Sequence, residues 1–583
     1  MLKLVFFLSF PPLLLCSCRT APVTVTPPQR ENNLVEVLHT EPVGAPNRFC
    51  FSLKRPGWVY LNFIPEQAAT GERTAVRLDD GEVRLGTMRR LSAGPHRLIL
   101  PDDARGVLTV KHVPEIYLFA AGISFMPEVN GYYDYRTLGK YYLASTNLLH
   151  PGNLPTEAIE TYRAEGRELL DNVLAKPAVE GDIGKFLSSL ARSRAMRHGE
   201  YSGFTVDEFN FTNDDELRAY PEALTRLGRL NGKKIHTWIY GDTQTITEVQ
   251  RRFVKAALET PEGGGEILFE AYCPSYPTQS EAERFLDRKL DGNMRTLDAI
   301  YPGIAPYCGF ILGNFNLIPY ISLDHFPFVD YKYYLDMQMH RLANDPAFRD
   351  LAMVGFWGSS LLDEDLQYWS LALLRHYCVE GKRTMLSDEY GYTYLLPYLT
   401  NNDFRQGLKD WHATVAPDGA IFPASDADFP DMSMGLWQKG DSGAGEHFIV
   451  FRRGATPNYL SQTARELRAG QIYMLEYVTA DYQDIKNHAV HPMDHVLHAE
   501  LPAANAEVLS VREAIDRRPA HFYGKTDFAR INLKQIVFKA LTPELPVTFT
   551  DHISTVVAGV GKIGQEKVLT FVRIKPYFAP VRP

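Results

Sequence analysis

The stretch Tyr201-Ser-Gly-Phe-Thr-Val-Asp-Glu-Phe209 decides how the middle of this chain is read. It is a short apolar run ending in two acids, and it lies between two amphipathic helical stretches, 183–196 and 216–230. Short apolar runs alternating with such stretches mark a parallel sheet built from βα units. Working outward, the same unit recurs on both sides. The predicted strands are 115–123, 141–148, about 169–174, 201–209, 234–242, 266–273, 307–314 and 352–359. Further helices are predicted at 246–258, 279–300, 334–343 and 366–377. Eight strands spread over some 260 residues fit a (β/α)8 TIM-type barrel, which typically takes ~250 residues. Residues 158–174 also read as one long helix, which makes the third strand the ambiguous one. An open doubly wound sheet competes, but it needs a Gly-rich turn after its first strand, and Gly122 stands alone.

On either side the texture is β. From residue 34 to 113, runs such as Arg48-Phe-Cys-Phe-Ser-Leu53 and Gly57-Trp-Val-Tyr-Leu-Asn-Phe63 alternate apolar and polar residues between Gly and Pro turns. They predict an N-terminal antiparallel β-sandwich. The barrel is assigned to 114–386 and a C-terminal β-sandwich to 387–583, with runs at 447–452, 470–477, 535–540, 547–550 and 568–574. The chain of 583 residues exceeds one domain of roughly 100–200 residues. Its 45% hydrophobic and 22% charged residues exclude a largely disordered chain. A net charge of −9 argues against nucleic acid as a partner, because phosphate binding needs a basic face.

Cofactors are not expected. No Cys/His spacing suits a metal, and His150, His236 and His325 read as core or loop residues. Cys50, Cys273, Cys308 and Cys378 are widely separated, and export would permit disulfides among them. Ser359-Ser360 lacks a nucleophile-elbow context.

In a barrel, chemistry sits where strands end. The fourth strand ends in Asp207-Glu208, the fifth in Trp238-Ile-Tyr240-Gly-Asp242, and the sixth in Glu270-Ala-Tyr272. The seventh ends in Asn314-Phe-Asn316 and the eighth in Trp357. Acids with flat rings beside them suit a sugar cleft. The barrel pattern with its adjacent Asp-Glu pair resembles the (β/α)8 glycoside hydrolases that carry such a pair after strand four. That resemblance implies Glu208 as general acid and Asp207 as the partner that orients a substrate N-acetyl group. Relatives with two catalytic Glu residues place the second on strand seven, where this chain has Asn314. Three arrangements therefore stand open: Glu208 with Glu270, Asp207 with Glu208 in substrate-assisted catalysis, or Asp242 as the water-activating base. Strand parity places Glu208 with Phe204 and Val206, and Asp207 with Thr205. Asp207 reaches the cleft only if the strand ends or bulges there, so parity ranks Glu208 and Glu270 above it. Trp238, Tyr240, Tyr272 and Trp357 are the expected sugar-stacking rings, with Asp242 and Asn314 bonding sugar hydroxyls. Glu128, Asp363 and Glu364 are expected as outer-subsite or surface acids.

The start, Met1-Leu-Lys-Leu-Val-Phe-Phe-Leu-Ser-Phe-Pro-Pro-Leu-Leu-Leu-Cys-Ser-Cys18, carries one positive charge and then an apolar run too short to span a membrane. Its end resembles the lipobox of bacterial lipoproteins, which implies cleavage after residue 17 and acylation of Cys18. Residues 19–33 then serve as a tether. Likewise Asn401-Asn-Asp-Phe-Arg-Gln-Gly-Leu-Lys-Asp-Trp411 resembles the opening of jelly rolls of the carbohydrate-binding-module kind. Together these readings predict an exported, lipid-anchored glycoside hydrolase of the bacterial envelope. Its expected partners are a glycan or polysaccharide substrate, and a membrane through the lipid alone. The alternative is a surface glycan-binding lipoprotein that uses the same cleft without turnover.

Overall fold

The computed structural model describes residues 29–44, 47–66, 75–119, 143–152, 154–227, 232–242, 245–260, 264–318, 321–357, 362–489, 497–517, 531–552 and 562–579. Cys18, the signal segment and Glu128 lie outside them. The chain is multidomain: a closed eight-stranded parallel barrel stands between antiparallel sheets.

The barrel strands are β1 (Glu115–Leu118), β2 (Leu148–Leu149), β3 (Glu168–Leu174), β4 (Tyr201–Asn210), β5 (Lys234–Tyr240), β6 (Gly265–Ala271), β7 (Cys308–Gly313) and β8 (Met353–Trp357). Each pairs in parallel with its neighbours, and β8 closes onto β1 through the pairing of Met353 with Glu115. Parallel strands covered on both faces read as near-continuous apolar runs, and all six residues of β7 are buried. The helices between strands are held at their starts by side chains. Asp182 accepts from the Lys185 N–H at the head of Ile183–Arg192, and Thr247 and Gln250 form a reciprocal capping box on Glu248–Leu258.

The second strand departs from the sequence reading and the third matches it. The second begins only at Leu148, because Leu143–Ser145 coil into a 3-10 turn. Asn147 then replaces ladder bonds with its side chain, accepting from the Ile116 N–H at 2.7 Å and donating to the Pro114 carbonyl at 2.9 Å. The ambiguous third strand is real. The helix Thr156–Ala164 stops before Gly166, whose φ of 79° is a left-handed conformation that ends a helix, and β3 follows. The run predicted as one helix over 279–300 is interrupted by a π-helical segment, Asp287–Gly292.

The N-terminal unit has a five-stranded and a four-stranded antiparallel sheet, and residues of both, including Phe51, Val59, Leu78, Leu98 and Val110, share one apolar cluster. The C-terminal unit has a six-stranded and a four-stranded antiparallel sheet. Its strand His447–Arg452 shows how the six-stranded sheet works. Ile449 and Phe451 join the cluster inside the unit, whereas Phe448 and Val450 join the barrel's core. Alternation at period two thus lets one sheet bury both faces. Asn401 opens the unit as a turn cap, donating to the Gly407 carbonyl, while the Trp411 indole donates to the Asn401 carbonyl at 3.0 Å.

Buried charges lock the seam between barrel and C-terminal unit. Arg573 binds Asp324 and also Glu476, the latter at 2.6 Å; Lys575 reaches Asp363 at 2.6 Å; and Lys332 reaches Asp365 at 3.0 Å. Cys273, Cys308 and Cys378 are buried free thiols.

Candidate active site

The end of β4 carries the decisive irregularity. Val206 pairs with Thr237 but Phe209 pairs with Ile239, so β4 spends one residue more than β5 over this interval. That extra residue is a β-bulge, which bends the strand and re-aims side chains. Glu208 sits in it with φ of 73°, a conformation uncommon outside glycine. Phe209 resumes the helix-facing side, with ring centroids 4.5 Å from Tyr220 and 5.1 Å from Phe253. Glu208, which unbroken alternation would have aimed at the helices, is instead exposed at the strand's end.

Asp207 keeps the parity of Thr205, and that face is the barrel interior. The phenol of Tyr117, on β1 across the barrel, faces both residues. Thr205 donates to the Asn172 side-chain oxygen at 2.6 Å, and the Asn172 amide donates to Asp207 at 3.3 Å. Asp207 is only 9% exposed. Burial, and then the charge of Glu208, push its carboxyl up to about 7. Asp207 thus faces the interior by plain alternation with Thr205, and it is Glu208 whose direction depends on the bulge, the reverse of the order that parity suggested.

Glu270, near the end of β6, accepts from the Trp238 indole N–H at 3.1 Å. Burial raises its carboxyl to about 8; the indole bond opposes the rise, and the charges of Asp207 and Glu208 add to it. The three carboxyls thus feel one another's charge in one mouth. Tyr240 is half-buried beside them, and its phenol is raised by burial and then by Glu216, Glu208 and Glu270.

The expected rings divide by role. Trp238 is only 1% exposed, and its indole N–H holds Glu270. Its ring meets Phe119 edge-on at 5.5 Å; Phe119 stacks on Trp357 at 6.3 Å; and Tyr272 lies 5.9 Å from Trp357. Phe119 also stacks on His150 at 4.8 Å, and burial lowers that imidazole to about 4, keeping it neutral. The expected polar contacts lie elsewhere. Asp242 is tied down by Lys289 at 2.9 Å and Asn293 at 3.1 Å. Asn314 is 1% exposed and donates to Ser370 on the helix Glu364–Leu374. Asp363 is buried in the seam and Glu364 binds Arg512 and Tyr577, so neither is an outer acid of the cleft.

Several site residues escaped the sequence. Asn172 lay on the ambiguous strand, and its register beside Thr205 is the signal that finds it. Phe315 and Trp437 pack against Tyr272 at 5.2 and 5.6 Å, and Trp437 comes from the C-terminal unit. At the opposite end of the barrel, Glu115, His236 and Glu266 bring ligand atoms within 4.8 Å of one another, a grouping that sequence spacing hides. The ammonium of Lys234 already bridges both glutamates there, reaching Glu115 at 2.7 Å.

No family model and no curated protein matches this chain. Among solved structures it is similar to a chitinase from Chromobacterium violaceum ATCC 12472, at 10% identity over 45% of this chain and 98% of that one, with a TM-score of 0.31. A second is active domain 2 of a thermostable chitinase from Pyrococcus furiosus complexed with chito-oligosaccharides, at 12% identity over 48% and 98% of the two chains and a TM-score of 0.30. A third is TmCBM61 in complex with β-1,4-galactotriose, at 14% identity over 31% and 98%, with a TM-score of 0.17. Likenesses this distant carry no weight for activity or substrate.

Proposed function

We propose that this protein is a glycoside hydrolase that cleaves a glycan or polysaccharide by carboxylate acid/base catalysis. One observation carries the reading: Asp207 faces the barrel interior, the bulge at the end of β4 leaves Glu208 open in the mouth, and the charges of both act on Glu270. Glycosidases require paired carboxyl groups in different environments, and this cluster supplies them. Glu208, reachable by substrate, donates a proton to the glycosidic oxygen as the bond to the anomeric carbon breaks, and a water then bonds to that carbon and returns its proton to Glu208. Asp207 and Glu270 retain protons near neutral pH. They orient the reacting sugar and limit the negative charge that gathers beneath it. Trp238 and Asn172 position these two carboxyls.

In the same reading the central unit, 114–386, is a TIM-type barrel. The units at 34–113 and 387–583 are β-sandwiches, the second of jelly-roll kind, that brace the barrel and help capture glycan. The chain is exported, acylated on Cys18, and held at the bacterial envelope by residues 19–33. Burial of Asn314 leaves the tip of β7 without a carboxylate and favours a second reading, glycan binding without turnover. Incubating the chain from residue 19 with a panel of polysaccharides and oligosaccharides separates the two. New reducing ends, seen by mass spectrometry, support hydrolysis, whereas binding with no product from any panel member favours the second reading.

A further inference from the structure

We propose that Trp437 forms one wall of the saccharide cleft, so that a subsite for the CH face of a pyranose ring lies at the seam between barrel and C-terminal unit. The proposal deepens the glycan reading above and rests on it.

The segment bearing Trp437 is stitched to the connection between β7 and β8 by main-chain bonds. The Ser322 N–H donates to the Gly435 carbonyl at 2.9 Å, and the Trp437 N–H donates to the Ser322 carbonyl at 3.0 Å. A ring nitrogen of His325 meets the Trp437 carbonyl at 2.8 Å. Burial holds that imidazole down at about 4, so it stays neutral and donates this bond. All three bonds use backbone atoms of residues 435 and 437. The indole packs against Tyr272 at 5.6 Å and Phe315 at 5.8 Å.

The surroundings favour a ligand-facing ring over core filling. Phe315 is fully buried and Tyr272 nearly so, yet Trp437 and Trp357, packed against them, keep part of their surface open. Rings follow one another from the carboxyls to this point: Trp238, which holds Glu270, then Phe119, Trp357, Tyr272 and Trp437. A saccharide with its scissile bond at Glu208 and Glu270 meets this row as it extends toward the C-terminal unit. Flat π faces take the CH face of a pyranose without displacing the hydrogen bonds of its hydroxyls.

The test is calorimetric titration of the chain from residue 19, carrying Glu208→Gln so that ligand persists, with chitopentaose, cellopentaose and mannopentaose. The same chain bearing Trp437→Leu or Trp437→Phe is titrated alongside. The proposal predicts that Leu weakens the best-bound pentaose about tenfold while Phe retains most of the affinity. With Glu208 restored, Leu raises KM and leaves kcat unchanged. Melting temperatures accompany each titration, since a merely structural ring would lose affinity only in step with stability. Affinity for Leu equal to that of the parent, or a loss that tracks melting temperature rather than the presence of a ring, overturns the subsite and leaves the glycan reading standing. Failure of the parent to bind any of the three pentaoses overturns the glycan reading, and the subsite with it.

Discussion

Replacing Asp207 by Asn tests whether the barrel interior holds a buried acid. An aspartate carboxyl ordinarily titrates near 3.9, whereas in the fold it is pushed up to about 7 by burial and the charge of Glu208. An acid raised by folding favours the fold fully while both states are protonated, below about pH 4, and that contribution is lost as pH rises through about 7. A rise of this size corresponds to about 4 kcal/mol, of which roughly half is gone by pH 5.5. Asparagine preserves the shape and accepts the Asn172 N–H but cannot ionise. Guanidinium unfolding at half-unit steps between pH 4 and 9 should therefore show nearly equal stability at the acid end. The variant should pull ahead by about 4 kcal/mol above pH 7. Parallel stability curves across this range would refute a proton-holding Asp207 inside the barrel.

The same carboxyls shape the pH dependence of turnover. Asp207 and Glu270 hold protons up to about 7 and about 8, so kcat/KM should fall on the alkaline side of that range. Trp238→Phe removes a bond that favours ionised Glu270 and should move the limb to higher pH; a limb that stays put contradicts the role given to Trp238. At the seam, Lys575→Met leaves Asp363 and Asp365 short of their cation and should cost about 3–5 kcal/mol in thermal or denaturant unfolding. Gly313→Ala would bring its methyl to 2.6 Å from Leu323, 2.9 Å from Phe315 and 3.0 Å from Tyr272. That should cost about 1–3 kcal/mol and raise KM by displacing the aromatic row, both readable on one purified variant.

How much was legible follows from the physics of each feature. β4 to β8 were readable because a parallel strand covered on both faces must be apolar throughout, and the helices between them show their buried stripe. β2 was not, since its two residues are too few for any pattern and a side chain of Asn147 does part of the ladder's work. The strand ends drew attention to the acids, yet the direction of Glu208 depends on a bulge. A bulge is a mismatch between two strands, so nothing within Tyr201–Asn210 alone reveals it. Asp242 and Asn314 stand at the right ends of their strands but are claimed by Lys289 and Ser370, partners that only the fold brings near. Trp437 lies in another unit of the chain and meets Tyr272 through tertiary contact alone.

The central claim is that Glu208, released by the bulge, transfers the proton on which bond cleavage depends. Comparing kcat of the chain from residue 19 with that of its Glu208→Gln variant, on whichever glycan the parent cleaves, tests it most directly. Glu208 is exposed, so the variant should melt where the parent does while its rate falls by about 100-fold or more. An undiminished rate at unchanged melting temperature would contradict the account.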